Sequence, residues 1–273
     1  MEQPRIQAGL GIAIRAALAA GREIMDVYTD PKQDFGIERK ADNSPLTLAD
    51  KAAHRCITKY LETTELPILS EEGRLEAYEK RREWDAFWLV DPLDGTKEFI
   101  KKNGEFTVNI ALVLNGRPHL GVIYVPARRE LYYGDSFIGA YKISDIGEWK
   151  EGDTLPQLIE RSLRLPLPQR DKDAYVVVAS RSHLSPETQQ FIEKTREEYP
   201  VVETISSGSS LKICLVAEGT ADVYPRFAPT MEWDTAAGHA IACCAGRQVY
   251  QAGTDRPLEY NKQDLHNPWF LVK

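Results

Sequence analysis

Phe87-Trp88-Leu89-Val90-Asp91-Pro92-Leu93-Asp94-Gly95-Thr96 joins an apolar, aromatic run to a turn carrying two carboxylates. The apolar part reads as a buried strand, and Pro92 and Gly95 shape the turn at its end. Carboxylates crowded into a desolvated place, as Asp91 and Asp94 would be, repel one another and resist ionisation. A cation between them removes that cost. Hard oxygen donors suit Mg²⁺, which keeps several waters beside a phosphate substrate. Taken alone, the run is read equally well as a turn whose aspartates cap local backbone groups.

The chain has 273 residues, enough for one large domain or two lobes sharing a cleft. Its 42% hydrophobic and 27% charged content is that of a globular protein with a sizeable core. A net charge of −7 argues against a nucleic-acid polymer as partner, since phosphate backbones need basic faces. It leaves a small anionic substrate open, because local charge can oppose net charge. No segment approaches the roughly 18 consecutive apolar residues of a membrane span. The N-terminus lacks the basic region and unbroken apolar core of a secretory signal. Cys56, Cys214, Cys243 and Cys244 show no zinc-type spacing and read as small apolar residues in a reducing compartment. A cytoplasmic location is expected.

Two helices open the chain. Ile6, Leu10, Ile14, Ala17, Leu18, Met25 and Tyr28 recur at helical spacing, with Pro31 closing the run. A second helix is predicted from Leu48 to Leu61, with Thr47 as N-cap and Asp50 in the first turn, near the positive end of the helix dipole. Strands follow at Leu66–Leu69, Phe87–Val90, Phe106–Leu114, Leu120–Val125, Glu130–Tyr133 and Ile138–Ile143, joined by short turns as in an antiparallel sheet. Ser144 to Arg170, rich in charge and proline, reads as a loop or inter-lobe connection. Beyond it, strands at Tyr175–Ala179, Val201–Ile205 and Ala221–Tyr224 alternate with helices at Pro186–Glu198, Ser209–Glu218 and Asp234–Ala245, the pattern of an α/β lobe. The expected division is an α+β lobe over 1–145 and an α/β lobe over 146–273.

Four acidic residues stand at the ends of elements: Glu71, Asp91 and Asp94 in the first lobe and Asp234 in the second. Meeting at a cleft, they could hold a pair of divalent ions that clamp both oxygens of an in-line phosphoryl transfer. Asp91-Pro92-Leu93-Asp94-Gly95-Thr96 with Phe99 resembles the first signature of the inositol monophosphatase superfamily. Trp233-Asp234-Thr235-Ala236-Ala237-Gly238, continuing to Ile241, resembles the second. Glu71 within Ser70-Glu71-Glu72 resembles that superfamily's upstream metal glutamate. Within the superfamily, Thr96-Lys97-Glu98-Phe99, Gly104-Glu105-Phe106-Thr107-Val108-Asn109, Ser180-Arg181-Ser182-His183 and Gly208-Ser209-Ser210-Leu211-Lys212 are most similar to the bacterial 3′(2′),5′-bisphosphate nucleotidase branch.

The resemblance implies a two-lobed, layered αβαβα sandwich of the inositol monophosphatase-like (sugar phosphatase) fold. Glu71, Asp91, Asp94, Asp234 and the Leu93 carbonyl would hold two or three Mg²⁺ ions. Thr96, paired with Asp50, would orient and help deprotonate the attacking water. Metal lowers the pKa of water, so a weak hydroxyl relay backed by a carboxylate can suffice. The activity implied is hydrolysis of the 3′-phosphate of adenosine 3′,5′-bisphosphate to AMP by direct attack of metal-activated water, without a covalent phosphoenzyme. Action on 3′-phosphoadenylyl sulfate, a link to sulfate assimilation and inhibition by lithium are implied as well. Members are monomers or homodimers, and some bacterial relatives associate peripherally with the inner membrane.

Substrate choice turns on the α/β lobe. Besides Glu71, Leu93, Asp94 and Asp234, Gly95 and Thr96 could offer backbone N–H groups to the phosphate. Ser207-Gly208-Ser209-Ser210 precedes a helix, a natural place for donors to an anion. Lys212 in the first turn opposes the helix dipole unless an anion binds there; a solvated surface lysine is the alternative. The resemblance puts Ser180 and His183 beside the nucleotide base. True inositol monophosphatases place an acid near Tyr224-Pro225-Arg226-Phe227. An arginine there suits a second phosphate and fits poorly in place of a hydroxyl-accepting carboxylate; a structural salt bridge is the other role open to Arg226. An inositol or sugar monophosphatase on the same scaffold, and a non-catalytic metal and nucleotide binder, are the competing functions.

Overall fold

Apolar residues returning every three or four positions from Ile6 to Ile24 give the first helix, α1 (Gln3–Tyr28), a face that is entirely buried. The computed structural model describes residues 3–31, 35–39, 45–150, 152–168, 173–180 and 185–273. A short hairpin, β1 (Glu38–Arg39) and β2 (Pro45–Leu46), leads to α2 (Leu48–Leu61). Then come β3 (Ile68–Ser70), α3 (Tyr78–Arg81), β4 (Ala86–Asp94), α4 (Thr96–Ile100), β5 (Thr107–Leu114), β6 (Arg117–Val125), β7 (Glu130–Asp135), β8 (Gly139–Ile143), α5 (Leu155–Glu160) and β9 (Leu163–Arg164). The second half holds β10 (Tyr175–Ser180), α6 (Pro186–Glu198), β11 (Val202–Ser207), α7 (Leu211–Glu218), β12 (Tyr224–Arg226), α8 (Glu232–Cys244), β13 (Val249–Gln251) and β14 (Phe270–Val272).

Strands β3 to β9 form one seven-stranded sheet in sequence order. The expected antiparallel pairing holds from β4 onward. β3 departs from it and runs parallel to β4, because the link through α3 returns the chain to the same end of the sheet. Ser144 to Arg170 is not all loop: it contains α5 and the edge strand β9. The first sheet therefore extends past the 145/146 division drawn from the sequence.

Alternation along the strands separates two cores. Trp88, Val90, Ile110 and Leu112 face α1 and α2. Phe87, Leu89, Ala111 and Val113 face α7 and α8. A second layer of strands covers the far side of those helices: β10 and β11 pair in parallel in one small sheet, β14 lies antiparallel between β12 and β13 in another, and an isolated bridge from Val177 to Val223 links the two. Val177 and Val223 pack outward on Ile192 of α6. The order helix, sheet, helix, sheet, helix is a layered αβαβα sandwich. Among the described residues, no helix is long and apolar enough to cross a membrane. Of the four cysteines only Cys214 is fully buried, and Cys243 is exposed.

Candidate active site

The acidic residues meet where β3 and β4 end and α8 begins. The backbone N–H of Glu71 donates to Val90 O at 3.1 Å, which ties the end of β3 to its neighbour. The register between β4 and β5 shifts between Asp91 and Asp94, lifting the Pro92–Leu93 segment out of the ladder. Asp91 Oδ1 accepts the Leu93 N–H at 3.0 Å. Asp234 lies in the first turn of α8, where its Oδ2 accepts the Met231 N–H at 2.8 Å. Glu71, Asp91 and Asp234 each offer a carboxylate oxygen, all within 4.8 Å of one another. Asp94 stands beside them with its Oδ2 on the Ser210 N–H at 2.6 Å.

Burial, then the charges of Glu71, Asp94 and Asp234, hold the Asp91 carboxyl well above the ordinary range. Burial, then Asp94 and Glu71, does the same to Asp234. Burial raises Asp94 to about 6, against the opposing pull of Lys212. Asp91, Asp94 and Asp234, kept from ionising first by burial and then by neighbouring carboxylates, are oxygen donors that fit a hard divalent cation such as Mg²⁺, whose charge would favour their ionised form.

Asp50 and Thr96 come together from separate elements. Thr47 and Asp50 form a capping box: Asp50 Oδ2 accepts the Thr47 N–H at 2.7 Å and its hydroxyl at 2.5 Å. This fixes the buried Asp50 side chain and leaves Oδ1 toward Thr96, whose Oγ1 stands 3.4 Å away. The same hydroxyl lies 3.4 Å from the Leu93 carbonyl. One threonine thus joins the carboxylate on α2 to the loop carrying Asp91 and Asp94.

A cleft opens beside the acids, lined among others by Gly95, Ser180, Ser209, Lys212, Tyr224 and Arg226. His183 lies outside the described residues. Lys212 is no surface lysine: it is 5% exposed, with Nζ on Ser209 O at 2.5 Å and over the Tyr224 ring. Burial lowers it to about 8, against the support of Asp94. Arg226 donates Nη2 to Pro229 O at 3.0 Å, and among the described residues its buried Nε has no hydrogen-bond partner. Among the described residues it makes no salt bridge. The Gly208 and Ser210 N–H groups, expected as donors to an anion, are held by carboxylates instead, Glu105 Oε2 at 2.9 Å and Asp94 Oδ2 at 2.6 Å. Nothing local in the sequence marks Glu105 for this role, since Gly208 lies 103 residues further along the chain.

A hard-cation site at the foot of a cleft with two cationic side chains suits hydrolysis of a phosphate ester. The chain belongs to the inositol monophosphatase family, whose model matches residues 6–268. It is 45% identical over 256 residues to 3′(2′),5′-bisphosphate nucleotidase CysQ of Escherichia coli K12, spanning 93% of this chain and 94% of that protein. The crystal structure of CysQ from Bacteroides thetaiotaomicron superposes with a TM-score of 0.92 at 60% identity, over 98% of this chain and 97% of the other. An inositol monophosphatase from Anabaena is more distant, with a TM-score of 0.67 at 26% identity over 98% and 91% of the two chains.

Proposed function

We propose that the protein is a Mg²⁺-dependent 3′(2′),5′-bisphosphate nucleotidase that converts adenosine 3′,5′-bisphosphate and water to AMP and inorganic phosphate. The observation that carries the choice of substrate is the pair Lys212 and Arg226: a buried ammonium and a guanidinium whose Nε has no hydrogen-bond partner among the described residues line the cleft beside the acidic cluster. A monophosphate ester needs no second anion site, whereas a bisphosphate brings a second dianion that these cations can hold. An inositol ring would instead need acceptors for its hydroxyls.

Glu71, Asp91, Asp94, Asp234 and the Leu93 carbonyl are the groups that would hold two or three Mg²⁺ ions. When bound, Mg²⁺ lowers the pKa of water and neutralises charge on the transferring phosphoryl group. Thr96 Oγ1 accepts a hydrogen bond from the attacking water and passes a proton toward Asp50 Oδ1, 3.4 Å away. The Thr47 capping contacts keep Asp50 turned toward that hydroxyl. The water oxygen bonds to phosphorus as the bond from phosphorus to the ribose 3′-oxygen breaks; that oxygen takes up a proton from solvent and leaves as the 3′-hydroxyl of AMP, and Asp50 returns its proton to solvent. Lys212 and Arg226 grip the phosphate that is not cleaved. Ser180, at the end of β10, and the Ser209 segment border the nucleoside, with His183 following Ser180 in the chain. The setting is the cytoplasm, and 3′-phosphoadenylyl sulfate is a second substrate.

Phosphate release from adenosine 3′,5′-bisphosphate and from inositol 1-phosphate, each with Mg²⁺ and then with EDTA, tests the assignment. Fast turnover of the nucleotide alone, lost in EDTA, is expected. Faster release from the inositol ester would keep the acidic site and overturn the roles of Lys212 and Arg226.

A further inference from the structure

Two loops from different parts of the chain must be held in register for this cleft to work. One is the metal loop ending at Asp94-Gly95. The other is the Ser207–Ser210 loop ahead of α7. Glu105, a residue of neither loop, touches both. Its backbone carbonyl is so close to each that a Cβ on Gly95 would lie 3.0 Å from it and one on Gly208 only 2.9 Å. Its buried side chain accepts the Gly208 N–H at 2.9 Å through Oε2, while Oε1 faces the Arg128 guanidinium at 3.3 Å. Between these fastenings Ser209 is left-handed (φ 45°), a conformation that a non-glycine residue holds only when its surroundings impose it. The N–H groups on either side of Ser209 supply that constraint, Gly208 on Glu105 and Ser210 on Asp94.

We infer that Glu105 is the positioning residue that sets the Ser207–Ser210 loop against the metal loop, and so fixes where Lys212 meets the second phosphate. Glu105 acts through Gly208 and contacts no reacting atom. Its loss releases the loop without removing a metal-holding carboxylate or the Asp50–Thr96 pair. The effect belongs in substrate binding and not in the bond-breaking step. The binding part of this inference rests on the nucleotidase assignment; the fastening of the loop does not.

The test uses the full chain loaded with Mg²⁺ and compares wild type, Glu105→Ala and Glu105→Gln. Amide hydrogen exchange at Gly208 reports the fastening directly. Loss of a buried hydrogen bond predicts exchange about tenfold faster in Glu105→Ala, and KM for adenosine 3′,5′-bisphosphate about tenfold higher with kcat within about twofold. Glu105→Gln, whose amide oxygen can still accept from Gly208, recovers most of both. Should Glu105→Ala fail to fold, Glu105→Asp carries the same expectation, because its shorter side chain withdraws the carboxylate. Unchanged exchange at Gly208, a fall in kcat at constant KM, or Glu105→Gln behaving as Glu105→Ala overturns the role. A wild-type enzyme that prefers inositol 1-phosphate would defeat the nucleotidase assignment, and the exchange measurement would still decide whether Glu105 fastens the loop.

Discussion

Removing the metal should make the protein less stable as pH rises, the reverse of the usual behaviour of carboxylates in folded proteins. Asp94 goes from the ordinary 3.8 to about 6 in the folded state, with burial as the largest cause. Between those values the unfolded chain has already released a proton that the folded chain still holds. Raising pH through that window therefore favours unfolding. For Asp94 alone the loss is roughly 3 kcal/mol by neutral pH. In a chain of this length that corresponds to a melting temperature lower by about 5 °C. Asp91 and Asp234 shift in the same direction and add to it. Thermal unfolding followed by circular dichroism in EDTA should show the melting point falling as pH rises from about 4 through about 6. Saturating Mg²⁺ should flatten that slope, since a bound cation favours the ionised carboxylates. Asp91→Asn keeps the acceptor for the Leu93 N–H and removes one of the repelling charges. In EDTA at pH 7.5 it should melt several degrees above wild type, and Mg²⁺ should stabilise it far less. A metal-free melting point that is level or rises across this range, or an Asp91→Asn protein that melts below wild type there, refutes the account of the acidic cluster.

Other outcomes follow from single contacts. Thr96→Val keeps the shape and removes the hydroxyl, and should lower kcat about a hundredfold or more with KM nearly unchanged; steady-state kinetics decides. Thr47→Ala breaks the capping box and should cost about 1 kcal/mol of stability in denaturant titration, with a smaller fall in kcat because Asp50 loses its anchor. Lys212→Met should raise KM for adenosine 3′,5′-bisphosphate about tenfold or more and leave p-nitrophenyl phosphate hydrolysis much less affected, as expected for a charge-assisted contact to a second phosphate. Li⁺ in a Mg²⁺ buffer should inhibit phosphate release, and full activity at high Li⁺ would count against the proposed metal site.

The parts of the site legible in the sequence are those whose chemistry is local. Asp91, Leu93 and Asp94 share one turn, and Thr47 and Asp50 are a capping pair that can be read without any tertiary contact. Apolar runs likewise marked β4 to β6, because each has one face on each core and so carries few polar positions. What escaped depends on distant partners or on very short elements. β9 is two residues long and is a strand only because β8 lies beside it. The helix α5 did carry a signal, the Thr154-x-x-Gln157 capping box with Pro156 at its start, inside a segment whose charge and proline pointed to a loop. The parallel setting of β3 is decided by the route through α3, which no periodicity encodes. For Lys212 the sequence left a phosphate ligand and a solvated lysine equally open, because nothing next to it reports that the Tyr224 ring and the Ser209 carbonyl enclose its ammonium. Glu105 was invisible as a functional residue because its partners, Gly208 and Arg128, are far from it in sequence.

The first turn of α8 delivers Asp234 to carboxylates that belong to β3 and β4, and this has a consequence during synthesis. A ribosome releases Glu71, Asp91 and Asp94 long before it releases Asp234. A nascent chain stopped between them carries three crowded acids and lacks the fourth. Strong Mg²⁺ capture waits for α8 to seat against the first sheet, so the ion acts as a seal on a finished fold and gives little help to a partial one.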